Sequence, residues 1–473
     1  MTRAATLNGN IVILGYGTIG QCILPLLIDR LESTASRFTV VDRTDPPGAL
    51  SPYRDAGLRY LNRPIDRDNF VDVLAEVAGG GDLLLNLTMG VDSLAVADWC
   101  QDHGVAYVDT ALEPWEGFVE DAGLSAGDRT EYALHQRARL HAERHWRDDG
   151  PTAIVTHGAN PGLVSHFAKA ALIAVARGMQ LDFAAPSSRR DWARLAQRTG
   201  TKVIHISERD TQVSAKPKMP GEFVNTWSIP GFVEEAMMPV ELGWGTHERK
   251  LPDDALEHER GPRNTIYIDQ PAACFQMYSW VPTSGQILGL ALPHSENVTL
   301  SDYLTLEANG KPAYRPTVAF VYLPCDGAFA SLHETMMSGW REPEEERVIK
   351  RDVIDGQDEL GVLLLGHGLN GLWYGSQLDI HEARRIVPHS NPTALQVAAG
   401  MVAASLWAIE NPNAGFREPE DLPYDFVLEA ARPYLGRVVC ERTDWTPVDQ
   451  RPFIDAPPEP KDPWQFANFR AGA

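Results

Sequence analysis

The stretch Ile11 to Gly20, IVILGYGTIG, constrains this chain more than any other. Four apolar residues run straight into glycines at 15, 17 and 20, the spacing G-x-G-x-x-G. A strand, a tight turn and a helix start in that order hold a dinucleotide pyrophosphate. Gly15 lets the chain turn, Gly17 lets the backbone approach the phosphates, and Gly20 lets the helix pack on the strand. The backbone N–H groups of the helix start, Thr18 and Ile19 among them, then receive the negative charge. A glycine-rich turn alone is common, and the bland alternative is a structural turn in a non-binding α/β domain. Here a second apolar run, Phe38 to Val41, ends in Asp42. An acid at that strand tip grips a ribose 2′-hydroxyl and repels a 2′-phosphate, which favours NAD over NADP. Arg43 follows directly and pulls the other way.

The pattern then alternates. Leu58–Leu61, Asp82–Leu87 and Val105–Asp109 read as strands, while Asp68–Val77 and Ser93–His103 read as helices, the second stopped by Gly104. Such alternation predicts a Rossmann-type, doubly wound parallel sheet with right-handed crossovers. Ligands lie beyond the carboxyl ends of its strands, which places Asn86, Thr88, Asp109, Thr110 and Glu113 on the cofactor side. The charged, alanine-rich span Ser125–Trp146 reads as one long helix. Thr152–Val155 reads as a strand, and His157-Gly-Ala-Asn-Pro-Gly162 as a loop opening into a helix from Leu163. The NAD-binding domain is expected to close at 162, with the apolar helix Ala394–Glu410 returning to it.

From about residue 180 the pattern changes. VIHIS, NTWSI, NTIYID, CFQMYSWV, QILGLAL and VAFVYL are apolar or aromatic runs of strand length, separated by polar or Pro/Gly breaks. They predict a second, α+β domain over 163–390, built on a mixed or antiparallel sheet. Arg341–Arg351 reads as a solvated helix or loop, and 411–473 as an extended, proline-rich tail.

Composition excludes several classes. The chain of 473 residues carries a formal net charge of −22, which disfavours nucleic acid and anionic membranes and suits cationic small molecules. No apolar h-region precedes the first strand and no uninterrupted apolar run spans a bilayer, so the expectation is a cytoplasmic protein. The five cysteines are scattered, which argues for a reducing compartment and against a zinc or disulfide framework; no metal is expected.

The chemistry-bearing residues are carboxylates beside aromatics: Glu113-Pro-Trp115-Glu116, Glu208-Arg209-Asp210, and Asn225-Thr-Trp227-Ser228 followed by Glu234-Glu235. Carboxylates hold ammonium groups by charge-assisted hydrogen bonds, and a tryptophan face attracts a cation. Beside a nicotinamide, such a set fits oxidation of an amine. Taken singly, each has a plainer explanation. Glu113 can open a surface turn, Glu208 can belong to a local ion pair, Trp227 can be core, Glu235 can be a solvated acid and His294 a hydrogen-bonded loop histidine.

The motifs GYGTIG, EPWEGF, GANPG, IHISERDTQ, FVNTWS, ELGWGTHER, DELGVLL, LWYGSQL, EARRI, WAIENP and DPWQF run in order along nearly the whole chain. In them the sequence resembles the bacterial homospermidine synthases, a branch of the saccharopine-dehydrogenase-like proteins. The resemblance implies a homodimer with tightly held NAD. One putrescine loses hydride to give an imine, a second putrescine attacks with loss of ammonia, and the secondary imine takes the hydride back. It carries functional roles to Glu113, Asn160, Glu208, Trp227, Glu235 and His294, and more weakly to Asp358. It also implies an aspartate where this chain has Gly90, with Asp92 two residues on. Whether spermidine serves as a second aminobutyl donor is open at this level.

The main rival is a saccharopine or carboxyspermidine dehydrogenase, which joins an amine to an aldehyde using NAD(P)H. Its substrates bear carboxylates and call for arginine or lysine, whereas the candidates here are Glu, Asn and Trp. A non-catalytic nucleotide-binding regulator would have no need of the acidic and aromatic set.

Overall fold

The structure, a computed structural model, describes residues 7, 9–118, 121, 123–449, 451 and 457–472. They fall into two compact units. The first comprises 1–121, 135–163 and 383–435, and the second 122–134, 164–382 and 436–473.

In the first unit, seven strands among the described residues form one parallel sheet. Their order is 416–417, 153–154, 106–109, 83–86, 11–14, 38–42 and 59–62. Strand order reverses on either side of Ile11–Leu14, which makes its carboxyl end the topological switch point where such sheets bind ligands. Both faces of that strand are covered, and all four of its residues are buried. The helix Pro392–Glu410 belongs to this unit; 18 of its residues are apolar enough to cross a membrane, but 89% of that window is buried within the protein.

In the second unit a mixed sheet runs in the order 255–257, 265–271, 239–243, 317–323, 203–210, 357–367, 370–379 and 437–443, with the hairpin 276–281/285–292 branching from 317–323. The strands Val203–Asp210 and Thr317–Leu323 are parallel, and Gln357–His367 runs antiparallel to the first of them.

Four local readings of the sequence are corrected. Ser125–Trp146 is not one helix: a short 3-10 turn, Ala126–Arg129, is closed by a capping box between Ser125 and Asp128, and the α-helix begins only at Glu131. NTWSI is not a strand. The strand ends at Asn225, and Ser228 caps the helix Ile229–Met237 through its Oγ, which accepts from Gly231 N at 3.3 Å. Arg341–Arg351 contains the strand Glu345–Val348, paired in parallel with Glu222–Asn225 and tied to it by Arg347 Nε donating to Glu222. The segment 411–473 is more than a tail. It supplies strands to both sheets, Phe416–Arg417 and Arg437–Thr443, and the helix Tyr424–Ala431. The charged residues Arg437, Glu441 and Arg442 suit the edge position that 437–443 takes.

Candidate active site

At the glycine loop, Gly15 has φ +88°, and a Cβ there would lie 2.7 Å from Leu87 O. A Cβ on Gly20 would lie 2.5 Å from Gly15 O, whereas one on Gly17 would meet nothing within 4 Å. Two glycines are thus needed by the protein itself, and the third borders open space at the start of the helix Thr18–Arg30. That helix has no side-chain cap and no acid in its first turn, so its N–H groups, with Thr18 and Ile19 half-buried beside them, suit a phosphate. Asp42 closes the loop: its Oδ2 accepts from Tyr16 N at 2.6 Å, and its Oδ1 accepts from Thr44 N and Thr44 Oγ1 at 2.8 and 2.6 Å. A carboxylate has about four acceptor sites, which leaves capacity for a ribose hydroxyl. This donor and acceptor set fits a dinucleotide.

The neighbouring strand ends line up with the loop. Leu14 pairs with Asn86, and Asn86 with Asp109, so Gly15, Thr88 and Thr110 leave the sheet at one edge. Asn86 Oδ1 accepts from Thr88 Oγ1 at 2.5 Å. Asp109 is buried and accepts from Thr156 N at 2.6 Å and Tyr107 OH at 2.7 Å. Burial outweighs those bonds and pushes its carboxyl up to about 7.

Glu113 and Asn160 also lie in the first unit. The backbone of Glu113 exchanges hydrogen bonds with Ser93, donating to its Oγ at 3.0 Å while its carbonyl accepts from Ser93 N at 2.8 Å. Gly90 N donates to Glu113 Oε2 at 3.4 Å. Gly90 itself has φ +70°, which strains any L side chain there. Asp92 does not stand in for the missing aspartate: it caps the helix Ser93–His103 through Ala95 N and pairs with Arg137. Asn160 is half-buried in the loop closed by Gly158 N donating to Pro161 O at 2.7 Å.

The other five motif candidates come together in the second unit. Residues opposite in register share a sheet face, and faces alternate along each strand. Glu208 lies opposite Tyr322 and Leu360, and Asp210 opposite Asp358. One face therefore carries Glu208, Asp210, Asp358, Tyr322 and Phe320. None of the residues that these three strands place on it is lysine or arginine. Thr226 Oγ1 donates to Asp210 Oδ2 at 2.7 Å, which pins the Trp227 loop beside the acids. Trp227 packs on Phe232 at 5.6 Å, Phe232 on Tyr322 at 6.0 Å, Tyr322 on Phe320 at 5.7 Å, and Phe320 on His294 at 4.5 Å.

His294 sits between two carboxylates, with Nδ1 2.9 Å from Glu296 Oε2 and Nε2 3.6 Å from Glu235 Oε1. Burial alone would lower its pKa, but the two acids overcome that and hold it well above the usual histidine value. The trio of an imidazolium and two carboxylates carries one net negative charge, which matches one ammonium. Glu235 Oε2 has no hydrogen-bond partner among the described residues.

The family motifs carry no role to Asp210, Tyr322 or Glu296, although Asp210 stands among the carboxylates that the sequence singles out. The spacing of Glu208 and Asp210 within one strand was a usable sign, because residues two apart share a face; the other two needed the register and the helix cap. A separate cavity of about 280 Å³ lies past the ends of the parallel strands, lined by Arg209, Asp210, Lys216, Cys325 and Asp326 among others. No motif candidate lines it; Asp210 alone belongs to both places.

A doubly wound domain followed by a mixed-sheet domain is the architecture of the saccharopine-dehydrogenase-like proteins, and the family models agree. Residues 11–154 match the saccharopine dehydrogenase NADP binding domain family, and 158–443 the saccharopine dehydrogenase C-terminal domain family. A homospermidine synthase of Blastochloris viridis is 43% identical over 467 residues, 98% of this chain and 97% of that protein. One of Mesorhizobium japonicum is 40% identical, covering 98% of this chain and 96% of that protein. The crystal structure of the homospermidine synthase from Legionella pneumophila in complex with NAD matches with a TM-score of 0.92 at 38% identity, covering both chains completely. The chain belongs to the homospermidine synthase family.

Proposed function

We propose that this protein is an NAD-dependent aminobutyl transferase that converts two putrescine molecules into sym-homospermidine and ammonia. The observation that carries this reading is the face of Glu208, Asp210 and Asp358, on which three strands gather acids and aromatic rings and no lysine or arginine. A diamine without a carboxylate fits it. The substrates of a saccharopine-type dehydrogenase would be repelled by it, because they need a guanidinium or ammonium partner.

Bound NAD supplies the chemistry of taking a hydride from the C–N carbon of one amine and returning it to the secondary imine. Gly15, Gly17, Thr18, Ile19, Gly20 and Asp42 hold its pyrophosphate and ribose, with Asn86, Thr88, Asp109 and Thr110 along the adjoining edge. Glu208 accepts from the reacting nitrogen and takes its proton, because only the free amine has the electron pair needed to form an imine. Trp227 offers its ring face to the cationic iminium. Glu235, oriented by His294, accepts from the distal ammonium, and Asp358 adds negative potential on the same face. The family motifs also carry functional roles to Glu113 and Asn160, which lie in the first unit.

The test is purified protein with putrescine and catalytic NAD, with products separated by chromatography. Homospermidine and ammonia without accumulating NADH support the reading, and stoichiometric NADH would point to a dehydrogenase. The same reading makes the enzyme a cytoplasmic homodimer, which light scattering checks, and adding spermidine to the assay tests it as a second aminobutyl donor.

A further inference from the structure

The acidic face holds one polar group that the reaction above leaves without a task. Tyr322 is 1% exposed and lies directly opposite Glu208 on a neighbouring strand about 4.8 Å away. Its hydroxyl has no hydrogen-bond partner among the described residues. A buried donor left unpaired costs free energy, so such a group in a folded protein calls for an explanation. The ring is not loose: Phe232 meets it edge-on at an interplanar angle of 80°, and Phe320 stacks against it at 17°.

Its ionisable surroundings are nearly all acids. Glu208 and Asp210 come from the parallel strand and Asp358 from the antiparallel one, and Cys325 begins the following helix. The helix that carries Phe232 also carries Glu234 and Glu235, and His294 lies against Phe320. Burial first, then the charges of Asp210, Glu208 and Asp358, hold the phenol well above its ordinary value, so it keeps its proton.

That makes it chemically unlike its neighbours. An ionised carboxylate only accepts hydrogen bonds, and the Thr226 hydroxyl already donates to Asp210. A phenol accepts and donates, and its hydrogen rotates to suit. The reacting nitrogen of a diamine needs both: it arrives as an ammonium, which only donates, and reacts as a free amine, whose lone pair accepts.

We propose that the Tyr322 hydroxyl contacts the reacting nitrogen of the substrate, accepting from it as an ammonium and donating to its lone pair once Glu208 has taken the proton. The step balances: one N–H bond breaks, its proton passes to the Glu208 carboxylate, the electron pair stays on nitrogen, and Tyr322 ends as it began. This rests on the amine-transfer reading and deepens it. By giving the free amine a second donor beside the Glu208 carboxyl that has taken its proton, Tyr322 favours the deprotonated form of the bound substrate.

The test is Tyr322→Phe, which removes one oxygen and keeps the ring between Phe232 and Phe320. The pH profile of kcat is recorded for the holoenzyme with putrescine, because kcat reports the groups that titrate in the enzyme–substrate complex. The melting temperature is recorded beside it. The acid limb of the variant's profile should move up by about one pH unit, a loss of about tenfold at low pH. An unchanged limb overturns the proposal. So does a uniform loss at every pH with a lowered melting temperature, which is what a packing role gives. A wild-type protein that makes no homospermidine from putrescine overturns the amine-transfer reading itself, and that is seen before any variant is compared.

Discussion

Gly17 separates what the nucleotide loop does for the fold from what it does for a ligand. It has φ −70° and ψ −151°, an extended conformation with negative φ, and a Cβ there meets nothing within 4 Å. On stability alone Gly17→Ala is close to neutral. Removing glycine's freedom from the unfolded chain contributes about 0.4–1 kcal/mol, and alanine's weakness as an N-cap costs a similar amount, about 1 kcal/mol. Yet the methyl occupies the space beside the helix N–H groups that a pyrophosphate needs. We expect at least a hundredfold loss of NAD affinity, about 2.7 kcal/mol. At NAD held at 100 times the wild-type Kd, the wild type gains about 2.7 kcal/mol from binding, while a hundredfold weaker variant gains only about 0.4 kcal/mol. For a unit of this size, each kcal/mol moves Tm by about 2–4 °C. NAD should therefore raise the wild-type melting temperature by about 5–10 °C and the variant's by about 1 °C. Without NAD the two should melt together. Gly20→Ala is the contrasting control: its Cβ would press on Gly15 O at 2.5 Å, so it should lower Tm without any ligand. A Gly17→Ala protein that binds NAD with wild-type affinity would refute the assignment of this loop.

Trp227→Ala should lose most turnover, at least about tenfold for one cation–π contact, while circular dichroism shows a folded protein; unchanged kcat would remove the cation-platform role. Glu208→Gln keeps the shape but not the base, so turnover in the putrescine assay should fall by about a hundredfold or more, and wild-type kinetics would contradict its part in handling the amine. Asp109 gives a pH prediction with a definite sign. Its folded pKa of about 7 lies above the ordinary 3.8, so the folded state binds the extra proton, and stability falls as pH rises from about 4 to about 7 and is flat beyond. Asp109→Asn cannot ionise and still offers Oδ1 to Thr156 N, so its melting temperature should exceed the wild type's by more at pH 8 than at pH 5. Equal differences at the two pH values would contradict the buried charge.

The first unit was largely legible in the sequence, because its signals are local. IVILG followed by two more glycines, an acid at the next strand tip and short alternating runs each report on a few adjacent residues, and a parallel sheet needs little else. Errors arose where a local signal competed with a stronger one nearby. NTWSI has the composition of a strand, but Ser228 followed by Pro230 is a cap and a first-turn proline, and the cap prevails. Ser125–Trp146 has helical composition throughout, yet the Ser125–Asp128 capping box turns the chain before the helix can start. Glu345–Val348 is charged like a solvated loop and becomes a strand only because Glu222 and Arg347 pair across it.

The acidic face was legible only in pieces, because its geometry is a matter of register between distant strands. Glu208 and Asp210 announce a shared face by themselves, but that Asp358 joins them depends on an antiparallel pairing of Gln357–His367 with Val203–Asp210. A slip of one residue would place Glu359 there instead and turn Asp358 to the other side. Glu359 in fact lies on that other side, where it accepts from Thr283 and Gln377 and is fully engaged in structure. Two adjacent acids in one strand thus face opposite sides of the sheet: Glu359 is held by Thr283 and Gln377, and Asp358 shares its face with Phe320 and Tyr322. Ser207 and Arg209 make the same division beside Glu208, with Ser207 bonded to Ser279 and Trp280 on the far face. The strand alternation sorts these acids between two faces, and for that reason a charge count over DELG or SERD could not have told them apart.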